Sequence, residues 1–161
     1  MADGTIYLYF KSKDDILISL FEENMTEIVA RLQQDLSQLD SAFERLRRFI
    51  ELHLEMVAEQ PHLAEVLTVE LRQSAKFMRE YKATKFLEYL DILSDLIRYG
   101  QSNEEISKTI DPQLTRRVIF GALDEVSLYW VSKGNQISIE EVTENVWQVC
   151  AGRLFTPHKN P

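Results

Sequence analysis

A chain of 161 residues, 45% of them hydrophobic and 27% charged, is long enough for one domain that buries about 70% of its unfolded surface. Five glycines, four prolines and many Leu, Glu, Gln, Lys and Arg residues point to helices and argue against collagen, low-complexity disorder or a strand-rich sandwich. A net charge of -8 with a pI near 4.9 excludes nucleic-acid binding through overall positive charge, though not a local basic surface. Cys150 is the one cysteine, so no internal disulfide can form. No run of about 18 uncharged apolar residues is present, and no basic stretch precedes an apolar segment at the N-terminus. The expectation is a soluble, cytoplasmic protein with no membrane partner.

In chain order, residues 4–10 form a short apolar-aromatic segment that reads equally as a strand or a short helix. Ser12 with Asp15 has the spacing of a helix cap, and Asp14 and Asp15 suit a first turn. Apolar residues then recur at helical spacing from Ile16 and Leu17 to Leu36 and Leu39, predicting one long amphipathic helix. Ser41 and Glu44 form a second capping box, followed by a stripe of Phe43, Leu46, Phe49, Ile50, Leu54 and Val57. Pro61 ends this helix or opens a shorter one reaching about Arg72. Ser74 is read as the cap of a longer helix through Phe77, Phe86, Tyr89, Leu93 and Ile97, with Gly100 as its left-handed terminator. Asp111-Pro112 opens an unusually apolar helix that ends at Gly134, and Ser138 with Glu141 opens the last one. Both final helices are apolar on more than one side, which predicts burial against another subunit.

The fold class expected is all-α, a helical bundle. Enzyme signatures are missing: the sequence has no Gly-rich phosphate loop, no Gly-x-Ser-x-Gly elbow and no His-Glu-x-x-His pair. Glu59 and His62 have the Glu-x-x-His spacing, but Pro61 lies between them and no second copy exists, so no metal site is expected. His53 reads as a core or pocket side chain rather than a catalyst. Asp124 and Glu125 sit in the apolar helix and would be costly to bury unpaired, so they either pair with basic residues across a helix interface or face a ligand. Gly121, costly by about 1 kcal/mol inside a helix, is explained by close helix-helix approach at a subunit contact. Glu70, Arg72 and Gln73 form a polar cluster that serves either as a solvated helix end or as a ligand contact. Phe49, Phe77, Tyr81, Phe86, Tyr89 and Trp130 supply aromatics for a core or a pocket wall.

The most specific stretch is Gly4-Thr5-Ile6-Tyr7-Leu8-Tyr9-Phe10-Lys11-Ser12-Lys13-Asp14-Asp15-Ile16-Leu17. It resembles the end of the helix-turn-helix in TetR-family transcription regulators, including the Tyr-x-Tyr-Phe-x-Ser-Lys core. The run Phe120-Gly121-Ala122-Leu123-Asp124-Glu125 and the terminal helix extend the likeness over nearly the whole chain. The resemblance implies a TetR-like bundle in which residues 1–13 are the remnant of the DNA-binding domain and residues 14–161 are the ligand-binding and dimerisation core. It implies that Asp3 and Gly4 lie on the recognition helix, that Thr5, Tyr7 and Lys13 match residues touching the DNA backbone, and that Tyr9 matches one near the groove. The likeness begins at the recognition helix, so the expectation is a fragment of a larger regulator or a protein missing its reader, binding operator DNA weakly or not at all, while an intact parent binds as a homodimer.

Within that family the chain is most similar to the group that represses fatty-acid degradation and is released from DNA by long-chain acyl-coenzyme A. The residues carrying this are Asp3 to Lys11, Asp15 to Phe21, Glu70-Leu71-Arg72-Gln73-Ser74 and Ile119-Phe120-Gly121. The implied effector is a long-chain acyl-CoA, with no cofactor, no metal and no catalysis. An acyl chain needs an apolar tunnel, for which Phe49, His53, Tyr81, Phe86, Tyr89 and Trp130 are candidate walls. Arg72, Gln73, Lys82 and Lys85 are candidates for the coenzyme head. Phe120, Gly121, Asp124, Val142, Val146 and Val149 are candidates for the dimer interface. A TetR-type regulator of a drug or another lipid, and a helical lipid-binding module that regulates nothing, are the alternatives; an enzyme is the third, which turnover of an acyl thioester would revive.

Overall fold

The computed structural model describes residues 9–79, 83–133, 136–152 and 154–155. The described residues are almost wholly helical, and the one β-type contact is an isolated bridge between Ile106 and Phe155. Helix α1 spans Lys13–Leu36 and begins where Ser12 Oγ accepts from the Asp15 backbone N–H at 3.2 Å. Its stripe of Leu17, Met25, Ile28, Val29, Leu32 and Leu36 is buried; Leu39, placed on the same helix by periodicity, follows it in a turn and still packs on the core. Helix α2, Ala42–Glu59, carries the full capping box: Ser41 Oγ accepts from Glu44 N–H at 3.1 Å while the Glu44 carboxylate accepts from Ser41 N–H. A second carboxylate, Glu105, accepts from Ala42 N–H at 2.8 Å.

Pro61 opens α3, Pro61–Glu65, which continues through a π-helical turn, Val66–Glu70, into α4, Leu71–Gln73. The helix expected from Ser74 to Gly100 is divided. Ser74 Oγ does accept from Phe77 N–H at 3.1 Å, but that helix, α5, covers only Ala75–Arg79. Helix α6 then runs from Thr84 to Ser102. Helix α7, Pro112–Ser132, starts on Asp111, whose carboxylate accepts from Leu114 N–H at 2.7 Å. Its expected terminator, Gly134, lies outside the described residues. Helix α8, Ile139–Ala151, starts on Ser138, which accepts from Glu141 N–H at 3.1 Å.

The core lies where α2 and α6 face each other: Leu46, Phe49, Ile50, Leu52 and Leu54 meet Tyr89, Leu90, Leu93 and Ile97, all without exposed surface. Helix α1 covers one side of this layer, Ile119 and Leu123 of α7 another, and Val146 and Trp147 of α8 a third.

Gly100 is not a left-handed terminator. The helix passes through it, and the residue with positive φ is Glu104, at 63°. Gly100 is glycine because of close approach: a Cβ there would stand 2.6 Å from Ile106 Cδ1 and 2.7 Å from Ala42 Cβ. The Ile106 methyl could swing away; Ala42 Cβ is fixed to the first turn of α2. Gly100→Ala gains about 1 kcal/mol of helix propensity but meets an overpacking cost of roughly 2–3 kcal/mol. A net loss of about 1–2 kcal/mol is expected in urea unfolding, and a stabilised variant would contradict this packing.

Candidate functional site

A cavity opens between α1, α2, α3, the π turn, α6 and α7. Its walls are Phe21, Asn24, Met25 and Ile28 from α1, His53, Met56 and Val57 from α2, then Gln60, Leu63, Ala64, Leu67 and Thr68, with Phe86 from α6 and Phe120, Asp124 and Ser127 from α7. The space between them, with the open solvent at the mouth included, is about 650 Å³. The lining is mainly apolar because three amphipathic helices turn their core stripes toward a gap that no described side chain fills. Helix α3 forms one wall with a π turn, in which Leu71 N–H reaches back five residues to the Val66 carbonyl. Such turns are rare and are enriched at functional positions. Thr68 satisfies its hydroxyl on the Ala64 carbonyl at 2.7 Å.

One side of the cavity is polar. Tyr89 Oη lies 2.9 Å from His53 Nδ1, and Ser127 Oγ lies 3.5 Å from His53 Nε2. Ser127 in turn donates to the Leu123 carbonyl at 2.6 Å. These partners fit one direction of donation: Tyr89 O–H to Nδ1, Nε2–H to Ser127, and Ser127 O–H to the backbone, so the imidazole is neutral. Burial pushes the His53 pKa down from 6.5 to about 4 and raises that of Tyr89 well above its usual value. Asp124 is the cavity's carboxylate and forms an ion pair with Arg72.

The His53 shift has a pH consequence. The unfolded chain takes up a proton on this histidine near pH 6.5, whereas the folded chain resists until about pH 4. The stability it contributes is therefore full above pH 6.5 and is lost as pH falls through that window. At about 1.4 kcal/mol per pH unit the loss approaches 3 kcal/mol, and part of the ring opens on the cavity, which brings the expected figure to about 2 kcal/mol. His53→Gln keeps an acceptor for Tyr89 and removes the titration. The wild type should lose about 2 kcal/mol more than this variant between neutral pH and about pH 4.5; parallel pH profiles would refute the buried neutral imidazole.

Among the candidate ligand residues, the structure places His53 and Phe86 in the cavity wall. Phe49 and Tyr89 stand behind it, with ring centroids 5.0 Å apart and no exposed surface, so they support the wall rather than line it. Trp130 is not at the cavity. It is buried near the α7–α8 connection, where its Nε1 donates to the Ile137 carbonyl at 2.8 Å. Arg72 reaches the cavity only through Asp124, Gln73 is exposed, and Lys85 pairs with Glu88 at 2.8 Å. Tyr81 and Lys82 lie outside the described residues, as do Asp3, Gly4, Thr5 and Tyr7. Tyr9 is 81% exposed, and Lys13 pairs with Glu70 at 2.7 Å.

The six candidates for a subunit contact separate. Phe120 and Asp124 face the cavity of their own chain, with Phe120 against Phe86 at 4.8 Å between ring centroids. Val146 belongs to the buried core, and Val142 packs against it. Gly121 and Val149 point outward; a Cβ on Gly121 would meet nothing within 4 Å. Along α7 the outward line continues with Leu114 and Val118, each 69% exposed, and Tyr129 at 48%. Most of the cavity wall, including Phe21, Asn24, Met25, Ile28, Met56, Leu63, Leu67 and Ser127, lies outside the candidates that the sequence offers. Only Ser127, a polar residue in an apolar run, left a signal of its own.

Comparison with known proteins agrees with this architecture. The sequence family described as YsiA-like protein, C-terminal region, matches residues 21–152. The fatty acid metabolism regulator protein of Bacillus subtilis (strain 168) is 38% identical over 150 residues, spanning 92% of this chain and 77% of that one. The crystal structure of the transcriptional regulator FadR from Bacillus subtilis in complex with stearoyl-CoA superimposes with a TM-score of 0.84 at 36% identity, covering 94% of this chain and 82% of that one. The fatty acid degradation regulator FadR of Bacillus halodurans gives a TM-score of 0.85 at 35% identity, over 93% and 78%. The match over most of the chain, together with the shared bundle, shows that the chain belongs to the TetR family of transcriptional regulators, in the branch of the YsiA-like C-terminal region.

Proposed function

We propose that this chain is the ligand-binding and dimerisation core of a repressor of fatty-acid degradation genes, released from DNA by a long-chain acyl-CoA. The observation that carries the reading is the apolar cavity with one polar side, which fits a flexible chain ending in a hydrogen-bonding group. The relative solved with stearoyl-CoA supports the same ligand class. Arg72, paired with Asp124 of the cavity wall, and Lys85, next to the wall residue Phe86 on α6, are the proposed contacts for an anionic head. Tyr9 and Lys13, with Asp3, Gly4, Thr5 and Tyr7 before them, are the proposed DNA-facing residues, on the strength of the motif they form. The chain acts by binding and release, not by catalysis, and its place of work is the cytoplasm.

The test is calorimetric titration with stearoyl-CoA, free coenzyme A and stearate. Binding of the thioester at least tenfold tighter than either part supports the reading. No heat with any of the three, from folded protein, would move the ligand to another apolar class.

The homodimer is proposed to form on the outward line of α7, Leu114, Val118, Gly121 and Tyr129, together with Val149 of α8. Gly121 at the centre of this line offers backbone to a facing helix with no side chain between. A charge there would be desolvated without a partner. Val118→Glu is therefore expected to yield monomer in sedimentation, while a variant that remains dimeric would place the contact elsewhere.

A further inference from the structure

The wall made by the π turn is tied to the beginning of α1. Glu70, the last residue of the turn, accepts from Lys13 Nζ at 2.7 Å. Six residues on, Lys76 Nζ donates to the Asp15 carboxylate at 2.5 Å. Between these, Arg72 pairs with Asp124 on the opposite cavity wall. The segment from Val66 to Lys76 thus touches the cavity through Leu67 and Thr68, crosses to α7 through Arg72, and holds both Lys13 and Asp15 in the first turn of α1.

A π turn holds one residue more than the α-helix around it, and converting it to α geometry rotates everything beyond by about 100°. A rotation of that size cannot keep Glu70 against Lys13, Arg72 against Asp124 and Lys76 against Asp15 together. We propose that the π turn and these three ion pairs form a strap that converts filling of the cavity into release of the first turn of α1. A ligand chain that presses on Leu67 and Thr68 changes the turn, and the ties break as a set. The basic partner of each pair is exposed, Lys13, Arg72 and Lys76 alike, so each pair shifts the balance by only about two- to fivefold, which suits a reversible tie better than a fixed brace. This deepens the acyl-CoA reading and rests on it only for the identity of what fills the cavity.

The test is hydrogen exchange on the full 161-residue chain, alone, with stearoyl-CoA, and in Ala64→Trp, which fills the cavity from its own wall without any ligand. Amides of the first turn of α1 should exchange about fivefold faster in Ala64→Trp than in the wild type, and equally so in the wild type with stearoyl-CoA. In Glu70→Gln/Lys76→Gln the same amides should be fast from the outset and gain nothing further from Ala64→Trp. If Ala64→Trp does not fold, Ala64→Leu serves in its place. A first turn that keeps its protection while peptides covering residues 61–73 respond to the filled cavity overturns the strap, whether or not stearoyl-CoA binds. A first turn that responds to Ala64→Trp but not to stearoyl-CoA leaves the strap standing and removes the acyl-CoA reading.

Discussion

Phe49→Ala is expected to cost about 4 kcal/mol of folding stability and to leave ligand affinity within about threefold of the wild type. Phe49 has no exposed surface and meets Tyr89 at 5.0 Å between centroids, in the layer where α2 packs on α6. Removing its ring leaves a void enclosed by Leu and Ile side chains that are themselves in place, so little collapse can recover the loss. A domain of this size has about 5–15 kcal/mol in all, and the variant should still fold at low temperature with a midpoint shifted far down in urea. Phe120→Ala is the comparison. Its ring is half-buried at the cavity wall, so its loss should cost about 1–2 kcal/mol and weaken a chain-like ligand by a similar amount. Equal stability losses for the two variants, or loss of ligand binding by Phe49→Ala with little change in stability, would show that Phe49 lines the cavity after all.

The two phenylalanines also show how far the sequence carries. Helix starts are legible because the cap is local: Ser12, Ser41, Asp111 and Ser138 each bond to a backbone N–H three residues on, and the spacing alone reveals it. Which face of a helix is buried is legible from periodicity. What the buried face packs against is not, since Phe49 and Phe86 each lie on the apolar stripe of their own helix, yet one supports the cavity and the other lines it. The cavity is an absence of side chains between helices far apart in sequence, and no residue type encodes it. The π turn at Val66–Glu70 is equally silent, because Val-Leu-Thr-Val-Glu has no proline or glycine to mark it. Gly100 was legible as an obligatory glycine, but the reason is contact with Ala42 and Ile106, residues 58 before and 6 after it, rather than the φ of a helix end. Asp124 was legible as a buried charge needing a basic partner, and Arg72 is that partner, but whether the pair lay between subunits or at a cavity required the fold.

The largest effect on ligand binding is expected from the length of the acyl chain and from any charge placed along its path. Each methylene moved from water into the apolar walls adds about 0.8 kcal/mol, close to fourfold in affinity. Affinity should therefore climb steeply from octanoyl- through dodecanoyl- to palmitoyl-CoA, and level off once the cavity between α1, α3 and α7 is full. Leu63→Asp tests the path directly. Leu63 is only half-buried, so the fold tolerates the change, but its side chain is part of the cavity wall and a carboxylate there would be stripped of water by a seated chain. The expected penalty is about 3 kcal/mol, or roughly a hundredfold, for palmitoyl-CoA. Octanoyl-CoA should suffer less, and free coenzyme A should be indifferent, because only a chain that passes Leu63 meets the charge. The pattern across chain lengths thus carries the argument more than the loss itself. A uniform loss for every ligand would mean that Leu63→Asp damages the fold, whereas an affinity that ignores both chain length and this substitution would mean that the acyl chain lies outside the cavity.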